Sequence, residues 1–410
     1  MIEPTDSLDA IAREYVSLVL AIGRHDPDYV DAYYGPPEWK AEADARMPHP
    51  LSELASRTVA VRDRLRQTGT PPGQEPRARF LEGQVDAVLA HVERLGGRAR
   101  TFDEESQALY QARAPHHDTA HFVRALEGLG ALLPGDGSVP ERYQRFRARF
   151  VVPPDRVDRV FRAAIAEARR RTLAHVSLPE AERFDLEYVT SRPWSGYNWF
   201  KGAARSIIQV NLDLPIFIDR ALDLAAHEGY PGHHVYNTLL ERHVARERGW
   251  FEVTVYPLFS PQSLIAEGTA NFGIDVAFPG PDRLAFERDV LFALGGLNPA
   301  TAEPYAAARG LARALAYAGN EAAREYLDGR IGRAEAEEYL VTYALMSPAQ
   351  AAQRVRFFDA YRSYVINYNL GEDLVRAWVE RQGGTADAPA RRWDAFAGLL
   401  TSLALPRSLL

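Results

Sequence analysis

Apolar residues recur at three- and four-residue spacing along most of the chain, and strict alternation of apolar and polar residues is scarce. Ala, Leu, Arg and Glu fill these periodic segments, and all four residue types favour the α-helix. The pattern therefore predicts a mainly α-helical fold. Short breaks that contain Pro, and in all but the last also Gly, predict loops at 70–76, 133–140, 278–282 and 297–304.

None of these breaks is long or polar enough to be a flexible linker between domains. We therefore expect a single catalytic domain over 1–410, with an N-terminal helical lobe at 1–180 and a second lobe at 181–410. The second lobe contains all the motifs from which a function is inferred below.

One segment of the second lobe has the pattern of a strand. Residues 205–213, "RSIIQVNLD", are rich in β-branched side chains and end at a polar residue. Asp213 and Pro215 are typical of a helix start, and the following segment keeps its apolar residues on one stripe. The sequence therefore predicts a small β-sheet next to a helix that carries His227 and Glu228.

Composition limits the partners and the chemistry of the chain. A formal net charge of −7 and a pI near 5.9 argue against a nucleic acid as partner, because nucleic-acid-binding proteins carry a basic excess. No cysteine is present, so any metal ion must be held by His, Asp or Glu.

The cellular location is predicted from the apolar runs. The first residues lack the basic start and apolar core of a signal peptide, and no apolar run approaches the ~20 residues of a membrane helix. We therefore predict a cytoplasmic protein without a membrane partner. Nothing in the sequence decides its oligomeric state.

The stretch "HEGYPGHH", residues 227–234, begins like the helix of a zinc peptidase. A catalytic zinc ion takes three protein ligands, and a nearby carboxylate must accept the proton of the attacking water. His227 and Glu228 would supply the first ligand and the base. In the usual motif the second histidine follows four residues after the first, but this chain has Pro231 at that position.

The Pro-Gly pair changes the expected geometry of this motif. Pro231 removes a backbone donor and clashes with the preceding turn, and Gly232 permits unusual dihedral angles. We predict that the helix is deformed between Tyr230 and Gly232, which would bring His233 towards His227. His234 is the alternative second ligand, although in a straight helix it would lie about 10 Å further along the axis.

The third ligand is expected from the segment 260–278, "SPQSLIAEGTANFGIDVAF". Ser260 and Pro261 are typical of a helix start, and Glu267 lies in the middle of the segment among small and apolar residues. A carboxylate with such neighbours needs a partner. Gly268 would let this helix approach another helix closely.

These motifs resemble those of a widespread family of bacterial proteins of unassigned function that are predicted zinc peptidases. The family pattern His-Glu-x-x-Pro-Gly-His-His is matched in full at 227–234. A second pattern, Glu-Gly-Trp-Ala, is matched at all positions but the tryptophan, where the chain has Thr269, and Phe272 replaces a tyrosine that often follows. A third, Tyr-Lys-Ile-Gly, is similar to "YNLG" at 368–371.

The family in turn resembles the helical gluzincins, such as carboxypeptidase Taq, thimet oligopeptidase and angiotensin-converting enzyme. The resemblance implies a helical zincin-like fold in which His227, His233 and Glu267 hold a zinc ion and Glu228 is the general base. It also implies that Tyr368 donates a hydrogen bond to the oxyanion.

Two other tyrosines, Tyr361 and Tyr364, lie within two turns of Tyr368 and are alternatives for the oxyanion role. The strand at 205–211 would line the cleft and pair with an extended substrate, as edge strands do. Arginines at Arg354, Arg356 and Arg362 are candidates to hold a substrate carboxylate.

Three functions fit this site. The leading one is a zinc metallopeptidase that hydrolyses short peptides. The others are a zinc hydrolase of a different amide or ester, and a catalytically silent helical protein that binds a metal. A second histidine group, His117 and His121 with Asp118 between them, has spacing compatible with a metal, but we expect it to be a cleft wall or a surface feature.

Overall fold

The computed structural model describes residues 7–410, and it is mainly helical with small sheets, which confirms the predicted fold class. The part of the chain before the sheet contains α1 to α8 and strand β1. These elements are α1 (Leu8–Ile22), β1 (Val30–Tyr33), α2 (Pro37–Ala45), α3 (Leu51–Gln67), α4 (Glu75–Leu95), α5 (Phe102–Tyr110), α6 (Thr119–Leu132), α7 (Val139–Arg147) and α8 (Val157–Leu173).

Helix starts in this chain follow capping chemistry. Ser7 accepts a hydrogen bond from the backbone of Ala10 at the start of α1. Thr101 and Glu104 form a reciprocal capping box at the start of α5. Each cap satisfies backbone donors that have no partner within the helix, which is why these short polar side chains fix where the helices begin.

A three-stranded sheet precedes the motif helix, with strands β2 (Arg183–Val189), β3 (Gly196–Gly202) and β4 (Arg205–Asn211) in the order β2-β4-β3. β2 pairs with β4 in parallel and β3 pairs with β4 in antiparallel orientation. The predicted strand at 205–211 is therefore confirmed as β4. A second sheet pairs β1 with β5 (Val255–Pro257).

The expectation that β4 would pair with an extended substrate is wrong. β4 is the central strand, and its backbone is already hydrogen-bonded to β2 on one side and to β3 on the other. An added strand needs unpaired backbone groups, and these occur only at the edges of a sheet. The edge strand on the cleft side is β3, whose residues Gly196 to Asn198 line the cleft.

After the sheet the chain is again helical. The elements are α9 (Ile218–Leu224), α10 (His233–Leu240), α11 (Pro261–Ala277), α12 (Gly280–Phe286), α13 (Phe292–Gly295), α14 (Ala302–Ala312), α15 (Ala318–Leu327), α16 (Arg333–Tyr343), α17 (Pro348–Tyr361), α18 (Ile366–Arg381), α19 (Pro389–Leu400) and α20 (Pro406–Leu409). α9 begins three residues after Pro215, because Asp213 accepts hydrogen bonds from Ser191 and Arg192 instead of capping the helix.

Helices α11 and α18 pack unusually closely. A Cβ atom on Gly268 would lie 2.4 Å from the carbonyl oxygen of Gly371, and one on Gly371 would lie 2.7 Å from that of Leu264. Only glycine fits at such a crossing. Gly268 therefore has the role that the sequence predicted for it, and the contact holds the middle of α11 against the first turns of α18.

The hydrophobic core is continuous from Leu8 on α1 to Leu409 on α20 and includes residues from both sides of residue 180. A smaller cluster under α6, α7 and α14 is built around Phe122 and Tyr143. The division into two lobes at residue 180 stays a prediction. Over residues 7–410, no helix combines the length and apolar character that crossing a membrane requires.

Candidate metal centre

The helix that carries the motif is interrupted where the sequence predicted. α9 passes into a π-helical turn at Ala225–Gly229, which contains both His227 and Glu228. The chain then leaves the helix through Tyr230 to Gly232, and α10 begins at His233. Single π-helical turns occur often at functional sites because the extra residue redirects side chains.

Gly232 allows the chain to fold back tightly at this interruption. A Cβ atom at this position would lie 1.9 Å from the carbonyl oxygen of His227 and 2.5 Å from that of Ala226. The backbone N–H of Gly232 donates to the same Ala226 carbonyl at 3.0 Å. The close approach excludes any side chain here, and it shortens the path from His227 to His233.

His227, His233 and Glu267 each point one ligand atom at a common centre, and these atoms all lie within 4.8 Å of one another. His227 Nε2 lies 3.1 Å from His233 Nε2 and 3.2 Å from Glu267 Oε2. His233 Nε2 lies 3.8 Å from the same carboxylate oxygen. Two nitrogens and one oxygen in this arrangement form a ligand set that could hold a metal ion.

The hydrogen bonds around His227 show which of its ring nitrogens is free. Asn271 donates through Nδ2 to the carbonyl oxygen of Tyr368 at 2.8 Å, so its Oδ1 is the atom that faces His227 Nδ1 at 2.9 Å. Nδ1 must therefore carry the proton, and Nε2 presents a lone pair to the centre. A ligating histidine is normally held by such a second hydrogen bond.

One carboxylate oxygen of Glu267 accepts no hydrogen bond. Its Oε1 accepts a hydrogen bond from the hydroxyl of Tyr364 at 2.8 Å, whereas its buried Oε2 has no hydrogen-bond donor among residues 7–410. A buried carboxylate oxygen without a partner is costly. Oε2 and His227 Nε2 converge on one point beside His233 Nε2, which is an arrangement that a cation would satisfy.

The charge balance of the cluster also favours a cation. Burial raises the pKa of Glu267, but the adjacent imidazoles of His227 and His233 outweigh burial and hold it well below its usual range. Burial lowers the pKa of His233, but the Glu267 carboxylate outweighs burial and raises it to about 9. Glu267 therefore keeps its negative charge at the centre, and that charge favours a cation beside it.

Glu228 follows the first histidine and lies in the wall of the same cleft as the cluster. Its backbone carbonyl accepts a hydrogen bond from Asn198 of β3 at 2.7 Å, which fixes the turn. A Cβ atom on Gly196 would lie 2.9 Å from its carboxylate, so the glycine makes room for this side chain. No donor in the described part of the chain hydrogen-bonds this carboxylate, so both of its oxygens can accept a proton.

The three candidate tyrosines occupy different positions. The hydroxyl of Tyr364 is committed to Glu267. Tyr361 and Tyr368 also line the cleft, and neither hydroxyl has a hydrogen-bond partner within residues 7–410, so Tyr361 stays an alternative to Tyr368 for the oxyanion role. Burial raises the pKa of Tyr368 well above its usual value, and the nearby Glu267 carboxylate adds to the effect, so this hydroxyl keeps its proton and can donate it.

His234, the alternative second ligand, points away from the cluster. It is fully buried, and its two ring nitrogens contact Ser206 Oγ at 2.8 Å and Glu182 Oε1 at 3.0 Å. Glu182 also receives the hydroxyl of Tyr230 and a guanidinium N–H of Arg169. Because both nitrogens are occupied, His234 links the motif to the strand β4 and to the residue that precedes β2.

The cluster lies in a cleft of about 500 Å³ that is walled by β3, α9, α11, α17 and α18. Asp31 on β1 also reaches this cleft and accepts a hydrogen bond from the hydroxyl of Tyr197. Burial raises the pKa of Asp31 to about 6, partly offset by that hydrogen bond. The three arginines that the sequence suggested as carboxylate-binding residues have different positions. Arg354 lines the cleft, Arg356 is exposed, and Arg362 pairs with Glu105 at 2.7 Å.

The second histidine group is a surface feature. The rings of His117 and His121 lie 4.5 Å apart, and Asp118 between them caps α6. Neither residue lines the cleft or belongs to a group of three possible ligands in the described chain. The nearest acid, Glu321, is paired with Arg324 at 2.7 Å.

Sequence reasoning missed several residues of this site. Asn271 lies four residues after Glu267, so both face the same side of α11, and that spacing was a signal that could have identified it. Tyr364 was named only as an alternative oxyanion donor, and its hydrogen bond to Glu267 was not predicted. Asp31 had no comparable signal, because it reaches the cleft from a segment that is remote in sequence from the motif.

Comparison with known proteins shows that solved structures share the fold, but it does not assign the chain to a family. No protein-family model matches the chain, and no curated protein matches it. A putative lipoprotein from Colwellia psychrerythraea is similar in structure with a TM-score of 0.54 and 16% identity, over 87% of this chain and 65% of that one. The chain thus spans about two thirds of that protein, and a likeness at this identity shows the fold alone.

Two further solved structures are more weakly similar. A putative lipoprotein of unknown function from Shewanella oneidensis has a TM-score of 0.46 and 13% identity, over 91% of this chain and 75% of that one. An M32 carboxypeptidase from Deinococcus radiodurans R1 has a TM-score of 0.39 and 13% identity, over 95% of this chain and 89% of that one. The inference of function therefore depends on the site itself.

Proposed function

We propose that this protein is a zinc-dependent metallopeptidase that hydrolyses short peptides. The observation that carries the proposal is the convergence of one ligand atom each from His227, His233 and Glu267, within 4.8 Å of one another, beside the Glu228 carboxylate, which has no hydrogen-bond donor among residues 7–410. Two imidazole nitrogens and one carboxylate oxygen are the ligand set of zinc hydrolases such as thermolysin.

A bound zinc ion would supply the Lewis acidity that activates water and polarises a substrate carbonyl. The residues of the chain have separate tasks. Glu228 accepts the proton of the attacking water and transfers it to the departing amine. Tyr368 donates its hydroxyl to the oxygen on which negative charge develops, because that hydroxyl has no other partner and keeps its proton.

The low solvent exposure of the residues at the centre favours these catalytic roles. The exposed fractions of His227, Glu228 and Glu267 are 8%, 5% and 6%, so little bulk water reaches the centre. Electrostatic interactions are stronger where water is excluded. Asn271 fixes the ring of His227, and Tyr364 fixes the carboxylate of Glu267, so the ligands are held in place before a metal binds.

The first test is metal analysis of the full-length protein purified without added zinc. We expect about one zinc ion per chain by inductively coupled plasma mass spectrometry, and loss of that ion on dialysis against a chelator. Protein without a stoichiometric metal, and without uptake of added zinc, would contradict the proposal.

The second test is a screen of blocked and unblocked dipeptides and tripeptides, with the products identified by mass spectrometry. We expect peptide hydrolysis that a chelator abolishes and added zinc restores. A matched set of esters and non-peptide amides in the same screen decides between a peptidase and another hydrolase. The cytoplasmic location stays a prediction, which fractionation of the native cells would test.

A further inference from the structure

We propose that Arg220 and Arg354, with Arg147 beside them, form a subsite that binds the free C-terminal carboxylate of a short peptide. The protein would then act as a carboxypeptidase. This inference rests on the proposed hydrolysis, and it adds the class of substrate.

The three arginines come from separate helices to one region of the cleft. Arg147 ends α7, Arg220 lies in α9 and Arg354 lies in α17, and all three line the cleft that contains the metal cluster. The same three residues also line an adjacent recess, together with Asp223, Asp275 and Glu372, which are paired with other arginines. Their convergence is produced by the tertiary structure, since they are far apart in sequence.

Arg220 and Arg354 have no carboxylate partner, in contrast to their neighbours, whereas the charge of the buried Asp219 raises the pKa of Arg147 against the effect of burial. Within residues 7–410, no carboxylate oxygen lies within 4.0 Å of a guanidinium nitrogen of Arg147, Arg220 or Arg354. Nearby arginines are ion-paired at short distance: Arg283 lies 2.7 Å from Asp223, and Arg376 lies 2.6 Å from Asp275. A partly buried cation without a counterion is costly, so an anionic ligand would be stabilising here.

The surroundings of Arg354 disfavour its positive charge, and a bound anion would offset that cost. Arg354 is half-buried, and burial lowers its pKa, with further lowering by the positive charge of Arg220. Its guanidinium lies over the ring of Phe357 at 5.5 Å. That of Arg147 lies over Phe217 at 3.8 Å. Aromatic faces hold guanidinium groups while leaving their edge N–H groups free to bind a carboxylate.

The spacing from the metal cluster suits the end of a peptide. Arg220 lies seven residues before His227 on the helix that carries the motif, which is about 10 Å along the axis. A long side chain that reaches back from this position would meet a carboxylate one or two residues beyond the scissile bond, since each extended residue spans about 3.5 Å. The expected product is therefore a free amino acid or a dipeptide.

Charges of opposite sign are separated along the cleft, which sets the direction of the substrate. Asp31 lies near His233 and Glu228 and interacts with both, whereas Arg354 interacts with Tyr368 and Arg220. A peptide carboxylate is repelled at the first end and attracted at the second. The amino-terminal part of the substrate would therefore extend towards Asp31.

The test compares three acetylated tripeptides with the zinc-loaded, full-length protein. One has a free C-terminal carboxylate, one has a C-terminal amide, and one has the amide with a glutamate side chain at its last position. We expect kcat/KM for the free acid to exceed that for both amides by about 10- to 100-fold, from the added charge-assisted hydrogen bonds. Equal values for acid and amide would overturn the subsite while leaving the peptidase proposal intact. If only the glutamyl amide matched the free acid, the subsite would bind acidic side chains, and the assignment to a C-terminus would be wrong.

The variants Arg354→Gln and Arg220→Gln should lower kcat/KM for the free acid by about 10- to 100-fold more than they lower kcat/KM for the amide. Arg356→Gln is the matched control, because Arg356 is exposed on the same helix and does not line the cleft. Zinc content and circular dichroism establish that each variant is folded. A loss that is equal for acid and amide would indicate a general structural effect and contradict the proposal.

A binding measurement keeps the two proposals separate. If no peptide is hydrolysed, the proposed function fails, and isothermal titration calorimetry with N-acetylphenylalanine still tests the subsite. We expect Arg354→Gln to weaken this binding by about 10- to 100-fold and Arg356→Gln to leave it unchanged. Equal affinity in Arg354→Gln and the wild type would overturn the subsite.

Discussion

The protein contains two histidine groups that look similar in sequence and differ in their surroundings. In the pair His227 and His233 the first residue is buried and the second half-buried, and the pair shares its centre with a buried carboxylate oxygen that accepts no hydrogen bond. The pair His117 and His121 also brings two rings together, but its nearest carboxylate is neutralised by an arginine. Proximity of two histidines is thus not sufficient for a metal site.

The two histidine groups differ in whether the carboxylate beside them is already paired. Glu267 is held by Tyr364 through one oxygen, which leaves the other oxygen for a cation. Glu321 instead accepts the backbone N–H of His117 and pairs with Arg324, so its charge is already balanced. An acid with an unpaired oxygen in a cleft favours metal binding, whereas an acid that is already paired with an arginine does not.

The largest expected effect comes from removal of a ligand. His233→Ala should lose stoichiometric zinc and, with it, all hydrolysis, because only two protein ligands remain. Metal analysis and the peptide assay measure the two effects. Retention of full zinc by this variant would show that the wrong histidine had been assigned.

The next effect separates catalysis from metal binding. Glu228→Gln keeps the size of the side chain and removes the base, so we expect retained zinc and a fall in kcat of about 10²–10⁴-fold. The comparison requires zinc content and kcat from the same preparation. Loss of the metal would make Glu228 a ligand, and unchanged kcat would exclude it as the base.

Asn271→Ala tests the residue that orients His227. Loss of a hydrogen bond to a ligating histidine typically weakens metal binding by about 10- to 100-fold, and we expect a change of that size. Competition with a chromophoric zinc chelator measures the affinity. An unchanged affinity would mean that packing alone fixes the ring of His227.

His234→Ala distinguishes the adjacent histidines of the motif. We expect this variant to retain zinc and to lose about 1–3 kcal/mol in the free energy of unfolding, because Ser206 and Glu182 lose their buried partner. Denaturant unfolding should be followed on metal-free protein, since bound zinc would add to the measured stability. Zinc loss without destabilisation would reverse the roles of His233 and His234.

The smallest effect is expected at the surface pair. The double variant His117→Ala and His121→Ala should keep its zinc content and its kcat, with a change in stability within about 0.5 kcal/mol. This variant is the matched control for His233→Ala. A loss of metal here would show that the second group also binds a cation.

Local chemistry in the sequence was enough for the helical fold class, the strand at 205–211 and the interruption at Pro231 and Gly232. Helical periodicity and Pro-Gly chemistry act over a few residues, so they can be read without knowing the fold. The segment 260–278 was identified for a similar reason, because its helix start and its small residues around Glu267 are local features.

Only the tertiary structure decided which side chains meet. It separated His233, which faces the cleft, from His234, which is bonded to Ser206 and Glu182, although the two are adjacent in sequence. It made β4 a central strand, and it brought in Asp31 and the arginines of the cleft from distant helices and strands. The physical reason is that burial and pairing depend on long-range packing, which no local pattern specifies.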